Sequence, residues 1–432
     1  MTTHRRSFLA RTGLAALAAG TYARAAGAND RVRLSMIGCG GMMRHHIAQA
    51  LKSKDVEIVS LCEVDSDRRA QATKTVEKSA GKAPKTEKDM RKVLNDSIDA
   101  VFIATPDHWH TPAAILALEA GKHVYVEKPC SHNIREGRLL VEAAAKAKKV
   151  VQVGTQTRSS EHAKEAMQAL KEGVIGEVLV AKAWNSQRRK DIGKTKPSDP
   201  PANLDFDLWL GPAPKVAYRK NMLPGIWRWW YNFGVGDMGN DGVHDIDLAR
   251  WGLGVTTHPD TVAAVGGKYF FDDDQQFPDT QYVVFEYTDD KAKRKKKQLI
   301  YEHRIWSPYV QEGHENGNAF YGTKGMLILG KGSGWQVFGE KNKPGKSMKG
   351  KPDLPGHHAN FLACIRDGKA PAASAEAGHL SAALCHLGNI ACRVGRQLTF
   401  DPVKEAIVGD SDANALVKRK YREGHWAVPK GV

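Results

Sequence analysis

The sequence lacks several features that would place it in special classes of protein. It has no uncharged apolar run of roughly 18 residues, so it predicts no membrane-spanning helix. Six scattered cysteines in 432 residues exclude a disulfide framework, and no pair has the spacing of zinc ligands. No HExxH or comparable cluster predicts a metal site, and no nucleic-acid-binding motif accompanies the formal net charge of +16. The length and the 41% hydrophobic content predict a globular protein of two or three domains.

The first 25 residues are typical of a targeting segment. The pair Arg5-Arg6 precedes Ser7-Phe8-Leu9, an apolar run follows over residues 13–19, and Ala23-Arg24-Ala25 has the pattern of a cleavage site. This arrangement resembles a twin-arginine export signal. It predicts recognition by the twin-arginine export machinery and a periplasmic or secreted protein. The alternative is a basic N-terminus without regular structure.

Two different patterns of predicted strands and helices follow along the chain, and together they predict an α/β fold. Residues 31–155 alternate strands with helices, which indicates a doubly wound parallel sheet. Residues 156–355 are rich in strand-like runs separated by short turns, as expected for an open, mostly antiparallel sheet. Residues 188–214 and 341–355 are predicted as surface loops. Helical periodicity returns at residue 356, so residues 356–432 are predicted as C-terminal helices and a tail packing on both domains.

A basic run lies inside the strand-rich region of residues 156–355. Lys291 to Lys297 separates two strand-like stretches and is interpreted as a solvated hairpin tip rather than as a nucleic-acid site.

The start of the first domain predicts a dinucleotide site. The turn Gly38-Cys39-Gly40-Gly41-Met42-Met43 directly follows a strand and opens a helix, which is the context of a dinucleotide fingerprint. Met43 stands at the third glycine position, where we expect looser packing or a small shift of the phosphates. Glu63 and Asp65 end the second strand, where a carboxylate binds the ribose hydroxyls. An acid there disfavours a 2′-phosphate, so the sequence favours NAD over NADP.

Further motifs carry a resemblance to a known family. Thr105-Pro106-Asp107-His108-Trp109-His110 follows the third strand, and Glu127-Lys128-Pro129 follows the fourth. With the Gly-rich turn they resemble the glucose–fructose oxidoreductase, inositol dehydrogenase and MocA family (Gfo/Idh/MocA). VQVGTQTRSS, WLGPAP and GNDGVHDIDLARW look like a secreted branch of it. The resemblance implies an N-terminal Rossmann domain, a C-terminal sheet domain that often builds oligomers, and NAD-dependent oxidation of a carbohydrate.

The resemblance also implies roles for single residues. Lys128 inherits the catalytic or substrate-positioning role of the family's lysine, and Glu127 would contact the cofactor ribose or fix that lysine. The other implied cofactor contacts are Thr105, Pro106, His110, Gln156 and Lys128 itself.

The second half of the implied site is the motif from Gly236 to Asp247. His244 matches the family's catalytic histidine, which titrates near neutrality and can take a hydroxyl proton. Helical spacing predicts Asn240, His244 and Asp247 on one face. Many relatives have Asp where this chain has Asn240, and an amide cannot act as a base. Asp237, Asp241 or Asp247 are the alternatives for that role, and the sequence does not choose among them.

Substrate contacts are predicted from residue type. Arg158 is expected to face the cleft and bind a carboxylate or sugar hydroxyls, the alternative being a salt bridge between domains. Trp227, Trp229, Trp230 and Tyr231 precede the histidine motif, and Trp230 and Trp109 are candidate stacking platforms for a sugar, the alternative being core packing. Asp247 completes the predicted substrate set.

Three functions remain open from the sequence. The first is an NAD-dependent oxidoreductase acting on a sugar or polyol. The second is a redox-neutral glycoside hydrolase that oxidises transiently with retained NAD. The third is a non-catalytic carbohydrate-binding protein, which only Met43 and Asn240 support.

Overall fold

The first part of the chain forms a six-stranded parallel sheet. The computed structural model describes residues 31–288 and 296–432; the predicted export signal and Lys291 to Lys295 lie outside the described residues. In chain order the elements are β1 (Val32–Ile37), α1 (Gly41–Ala50), β2 (Val56–Cys62), α2 (Ser66–Ala80), β3 (Lys85–Glu87), β4 (Ala100–Ile103), α3 (Asp107–Glu119), β5 (His123–Val126), α4 (Ile134–Ala147) and β6 (Val151–Val153).

The order of these strands confirms the predicted doubly wound sheet. The order is β3-β2-β1-β4-β5-β6, and all neighbours are parallel. All four residues of β4 are buried, as expected for a strand covered by helices on both faces. The order reverses between β1 and β4, and the crevice at such a switch point is where these folds bind ligands.

The second part forms a ten-stranded sheet with helices on one face. Its elements are α5 (Glu161–Lys171), β7 (Val178–Asn185), α6 (Phe206–Leu210), α7 (Val243–Leu253), β8 (Thr261–Gly267), β9 (Thr280–Thr288), β10 (Lys296–Arg304), β11 (Asn316–Gly322), β12 (Gly325–Gly330), β13 (Gly334–Phe338), β14 (Pro344–Lys349), α8 (Leu354–Asp367), α9 (Ala375–Val394), β15 (Leu398–Asp401), β16 (Ala406–Val408) and α10 (Ser411–Ala415).

The second sheet confirms the predicted antiparallel character. Its order is β14-β13-β12-β11-β7-β10-β9-β8-β15-β16, and only the β7–β10 neighbours among these strands are parallel. β9 and β10 pair antiparallel from Thr288 opposite Lys296, so Lys296 and Lys297 of the basic run lie in a strand rather than in a hairpin tip.

Two predictions about the second part need correction. The stretch 341–355 is not only a loop, because β14 lies within it and pairs with β13. Residues 356–432 are not only helices and tail, because β15 and β16 extend the sheet beyond β8. β14 is polar and largely exposed, so sheet pairing rather than a hydrophobic pattern decides its structure, whereas β15 and β16 carry buried apolar residues but are only four and three residues long.

The core of the second part lies between the sheet and two helices. Ile246 and Leu248 of α7 and Leu384 of α9 pack with Phe285 and Tyr301 of the sheet, all fully buried. α9 also contacts α4, so it connects the two parts of the chain. Within the described residues, no helix is long and apolar enough to cross a membrane, and all six cysteine thiols are free.

Candidate active site

A cleft of about 790 Å³ lies at the carboxyl ends of the first sheet, where the sequence predicts the cofactor. Its walls come from both parts of the chain. The predicted residues that line it are Gly38, Gly40, Gly41, Met42, Glu63, Asp65, Thr105, Pro106, Trp109, His110, Glu127, Lys128, Gln156, Asn240 and His244. The cleft therefore brings most of the predicted site residues together.

The Gly-rich turn fits a dinucleotide pyrophosphate. Gly38 has φ of +85°, and a Cβ there would lie 2.9 Å from the backbone nitrogen of Thr105, so the turn requires glycine. Gly40 precedes α1, whose first turn has no acidic residue and no side-chain cap. The N–H groups at this helix start are thus available for an anion. Met43 is fully buried in the core and does not line the cleft, which corrects its predicted cofactor contact.

Two carboxylates lie at the end of β2, where an adenosine ribose binds in this fold. Glu63 accepts hydrogen bonds from the backbone N–H of Cys39 at 2.6 Å and of Asp65 at 3.0 Å. Burial raises the pKa of Glu63, and these hydrogen bonds only partly offset it. Asp65 caps α2 by accepting from the N–H groups of Asp67 and Arg68. Glu63 thus fixes the turn, whereas Asp65 shapes the ribose end of the cleft.

A segment of the second part covers this end of the cleft. Residues 201–205, here called the covering segment, form a bridge to Asp65 and receive a hydrogen bond from the N–H of Ser66. The Asn203 side chain donates to Asp65 at 3.0 Å, and Lys88 pairs with Asp205 at 2.8 Å. This stretch lies in the predicted surface loop 188–214, and nothing in its sequence indicates a role at the cofactor end.

A tryptophan near the C-terminus closes another side of the cleft. Trp426 packs on Trp109 with ring centroids 5.7 Å apart, and the guanidinium of Arg91 lies 4.2 Å from its ring. Trp109 itself is buried and donates from Nε1 to the carbonyl of Trp209 at 2.9 Å. Trp109 therefore forms part of the cleft wall through packing and a hydrogen bond. This agrees with core packing, which the sequence left open as the alternative to a stacking platform for a sugar.

Lys128 follows β5 and reaches across the cleft. Its Nζ donates to the backbone carbonyl of Asn240. Burial lowers the pKa of Lys128, and the charges of Asp241 and Glu127 only partly offset this effect. The ammonium is half-buried beside the cleft, so it is positioned to donate to an oxygen of a bound substrate.

Glu127 is a fully engaged buried carboxylate. His46 lies 3.0 Å from its Oε1, and Gln156 donates to the same oxygen at 2.8 Å. Burial opposes ionisation of Glu127, but the hydrogen bond from His46 and the nearby charges of His46, Lys128 and His110 together outweigh burial and lower the pKa. Glu127 also accepts from the backbone N–H of Lys128 at 3.3 Å, a contact that agrees with its predicted role of fixing the lysine.

His244 begins α7 at the other wall of the cleft. A π-helical turn, Met238–Gly242, precedes it. Burial lowers the pKa of His244 well below its usual value, and the charges of Lys331 and Lys128 add to the shift. Its Nδ1 has no hydrogen-bond partner among the described residues. The imidazole is thus neutral at pH 7, so one of its ring nitrogens carries a lone pair to which a hydroxyl can donate.

Asn240 is held in place by three contacts. Its Oδ1 accepts from Arg228 at 2.8 Å, its Nδ2 donates to Asp237 at 3.0 Å, and its carbonyl accepts from Lys128. Arg228, together with Trp227, lines the cleft, and neither is in the predicted site set. In the sequence, only the many aromatic and basic residues before the histidine motif indicated that this segment would form part of the cleft.

Asp241 is a negative charge that acts on both Lys128 and His244. It accepts from Arg189 and lies 3.4 Å from Lys331. Burial opposes its ionisation, but the charges of Lys331, Lys128 and Arg189 outweigh burial and hold its pKa well below the usual range. Asp241 therefore stays ionised and balances charge, and it is a poor proton acceptor.

Asp107 is a site carboxylate that the prediction missed, although it lies inside the third-strand motif. It is buried and lines the cleft at the first residue of α3. Burial raises its pKa to about 7, and the charges of Arg228 and Lys128 oppose that rise. His110, one turn on, lies 2.6 Å from the carbonyl of Pro129 and 2.9 Å from that of Thr105. It therefore connects the two motifs.

Three residues predicted to bind the substrate lie away from the cleft. Arg158 pairs with Asp247 through two contacts of 2.6 and 2.9 Å, and both side chains are buried. This is the salt bridge that the sequence left as the alternative. Asp247 lies one turn beyond His244, past the end of the cleft. Trp230 donates to the carbonyl of Asn221 and lines a separate pocket of about 260 Å³.

A group of potential metal ligands lies outside the cleft. The Nε2 atoms of His258 and His379 are each 2.7 Å from Oε1 of Glu405. Arg138 donates to the same oxygen at 2.7 Å and also pairs with Glu376. The arginine places a positive charge where a metal ion would otherwise neutralise the carboxylate, so the contacts form a buried hydrogen-bonded ion cluster.

Comparisons with known proteins agree with this geometry. A model of the Gfo/Idh/MocA oxidoreductase family, NAD-binding Rossmann fold, matches residues 32–155, and a model of the family's C-terminal alpha/beta domain matches residues 178–428. A curated "Glycosyl hydrolase family 109 protein 1" of Shewanella sp. (strain ANA-3) is 30% identical over 159 residues, 36% of this chain and 35% of that protein. The "Alpha-N-acetylgalactosaminidase" of Shewanella oneidensis is 29% identical over 157 residues, 35% and 34% of the two chains. The chain thus spans about a third of the length of these curated relatives.

Solved structures show the same fold at lower identity. The WlbA dehydrogenase from Bordetella pertussis, in complex with NADH and UDP-GlcNAcA, has a TM-score of 0.64 at 19% identity, over 86% of this chain and 99% of that chain. Levoglucosan dehydrogenase, in complex with NADH and levoglucosan, has a TM-score of 0.65 at 18% identity, over 85% and 99%. Aldose-aldose oxidoreductase from Caulobacter crescentus has a TM-score of 0.65 at 16% identity, over 86% and 100%.

Proposed function

Because the chain belongs to the Gfo/Idh/MocA family of NAD-binding oxidoreductases, we propose that it oxidises or reduces a hydroxyl-bearing carbon of a carbohydrate. The proposal rests on the observation that Lys128 and His244 line the same cleft. One is a half-buried ammonium and the other a neutral imidazole, and the dinucleotide turn lies at the same cleft. These are the groups that carbinol oxidation requires.

The residues that line the cleft fit NAD, and different residues would bind the cofactor and act on the substrate. The Gly-rich turn and the start of α1 would hold the pyrophosphate, and Asp65 would hold the ribose end. When bound, NAD supplies the acceptor for the hydride. Lys128 donates to the substrate oxygen and stabilises the negative charge that develops on it. His244 offers the ring nitrogen that would take the hydroxyl proton.

The experiment uses full-length protein purified without added nucleotide. The protein is denatured, any released dinucleotide is identified, and near-ultraviolet absorbance of the native protein is followed with sugars, polyols and aryl glycosides. We expect NAD to be bound or readily taken up, and we expect its absorbance to change with at least one carbohydrate. Binding of NAD without spectral change and without product from any member of the panel would contradict the proposal.

A redox-neutral glycoside hydrolase is the second candidate. Its support is the covering segment, which closes the ribose end through Asn203 and Asp205, together with the glycosidase names of the curated relatives. In this reaction a ring hydroxyl is oxidised, the glycosidic substituent leaves by elimination, water adds, and the carbonyl is reduced again. Cleavage of an aryl glycoside without net reduced cofactor would select this candidate.

The cellular location and the oligomeric state of the protein are also proposals. We propose export by the twin-arginine machinery, on the basis of the Arg5-Arg6 segment. We also propose a homo-oligomer that forms through the helix-free face of the second sheet, where Val265 and Tyr282 are cross-strand partners and both are exposed. Fractionation of the native host and light scattering of the purified protein test these two proposals.

A further inference from the structure

Arg228 is a cation in the cleft that lacks a carboxylate partner. Its Nε donates to the Asn240 side chain at 2.8 Å, and its Nη1 donates to the carbonyl of Gly225 at 2.8 Å. Among the described residues, no carboxylate forms an ion pair with it, and Nη2 has no protein acceptor. The guanidinium carries five N–H groups, so part of its fork remains open toward the cleft.

The neighbouring acids are committed to other cations. Asp237 and Asp241 both pair with Arg189, and Asp241 also lies 3.4 Å from Lys331. Asp107, which is the other acid near Arg228, is only partly ionised at neutral pH because burial raises its pKa to about 7. Burial lowers the pKa of Arg228, as expected for a charge with incomplete compensation. The substrate end of the cleft therefore carries excess positive charge.

The side chain is also ordered for recognition. The guanidinium lies over Trp227, with 4.3 Å between Cζ and the ring centroid, and Trp227 lines the same cleft. This cation–π contact and two hydrogen bonds fix the direction of the guanidinium, which lowers the entropy cost of binding an anion. Arg228 and Lys128 both bind Asn240. Their substrate groups therefore belong to one sugar unit or to adjacent units.

We propose that Arg228 binds an anionic group of the substrate, so that the enzyme selects acidic sugars over neutral ones. The inference rests on the proposed function and names its substrate class. A carboxylate and a sulfate or phosphate ester share the chemistry that an arginine fork recognises. The wall opposite Lys128 thus positions the sugar by its charge, while Lys128 and His244 act on the hydroxyl.

The test compares matched substrates. Aryl glycosides of glucose, glucuronic acid and glucose 6-sulfate, and the corresponding galactose set, are assayed with wild type, Arg228→Met and Arg228→Lys. Arg219→Met is the matched control, because Arg219 lies on the same loop, pairs with Asp274 and does not line the cleft. Turnover is measured first, and sugar binding to the NADH-loaded protein is measured by nicotinamide fluorescence as a second readout.

We expect wild type to prefer the acidic member by about 10- to 100-fold in kcat/KM, the range of a charge-assisted hydrogen bond. Arg228→Met should lose this preference by weakening the acidic member alone. Arg228→Lys should keep part of it, and Arg219→Met should keep all of it. The carboxylate and sulfate arms show which anion is preferred.

Two results would overturn the inference while leaving the proposed function standing. One is equal use of acidic and neutral members by wild type. The other is an equal loss on both members in Arg228→Met, which would show that Arg228 only positions Asn240. If no sugar is turned over but acidic sugars bind in an Arg228-dependent way, the proposed function fails and the inference holds. If no sugar of the panel binds, the inference fails as well.

Discussion

Lys128 donates a hydrogen bond from Nζ to the backbone carbonyl of Asn240, and this contact joins the end of β5 to the turn before α7. The lysine thus has a fixed position although its own strand belongs to the first sheet and its partner to the second part of the chain. A group positioned by the protein before substrate binds does not have to be ordered during the reaction. The relative placement of the two parts therefore determines where the reactive hydroxyl must lie.

The first prediction concerns the two groups assigned to proton handling. Lys128→Met and His244→Gln should each lower kcat by about 10²- to 10⁴-fold, the usual contribution of general acid–base catalysis. NAD binding should change little, because the pyrophosphate turn is made by other residues. Stopped-flow turnover and NAD titration measure the two effects. Lys171→Met, an exposed lysine of α5, is the control, and near-native turnover in either variant would remove that residue from the mechanism.

A second prediction follows from the buried carboxylate of Asp107. Its pKa of about 7 means that it is neutral below that pH and ionised above it. The ionised form partly cancels the charge of Arg228, so we expect KM for an acidic substrate to rise as the pH increases through 7. In Asp107→Asn this inflection should disappear, because the amide does not titrate. An unchanged KM profile in Asp107→Asn would show that another group causes the pH dependence.

The third prediction concerns the covering segment. Asn203→Ala combined with Lys88→Ala removes a hydrogen bond to Asp65 and the ion pair with Asp205. We expect release of NAD to become about tenfold faster, since each contact contributes modestly at an exposed site. Competition stopped-flow with excess NADH measures the release rate. Asp199→Ala, in the same loop but without a side-chain hydrogen bond among the described residues, should release NAD like wild type.

The residues at the base of the cleft were predicted better from the sequence than Arg228 and the covering segment. Gly38 and Lys128 each follow a strand of the parallel sheet, so local pattern and sheet topology place both at its carboxyl edge. His244 was assigned instead from the resemblance of its motif to the family. The fold class follows from the same alternation of strands and helices. These positions depend on regular elements, whose relative placement in an open α/β sheet is restricted.

Arg228 and the covering segment could not be predicted in the same way. Both lie between β7 and α7 in a long stretch with little regular structure, where tertiary contacts rather than periodicity fix each side chain. Trp230 was chosen from the aromatic cluster, whereas Trp227 faces the cleft. No periodicity in an irregular segment distinguishes neighbours three residues apart. Asp247 shares the helix of His244, but the ion pair with Arg158 holds it outside the cleft.

The last prediction separates a structural from a substrate role for that ion pair. The side chains of Arg158 and Asp247 are 9% and 1% exposed, and Ser381 donates to the same carboxylate at 2.6 Å. Removing one partner leaves the other charge buried, so Arg158→Met and Asp247→Asn should each lower the free energy of unfolding by about 3–5 kcal/mol. The double variant Arg158→Met/Asp247→Leu should be less destabilised than the sum of the single changes. Urea unfolding followed by tryptophan fluorescence measures the stabilities, and KM for the sugar should stay near the wild-type value. A stable Arg158→Met protein with a raised KM would instead restore Arg158 to the substrate site.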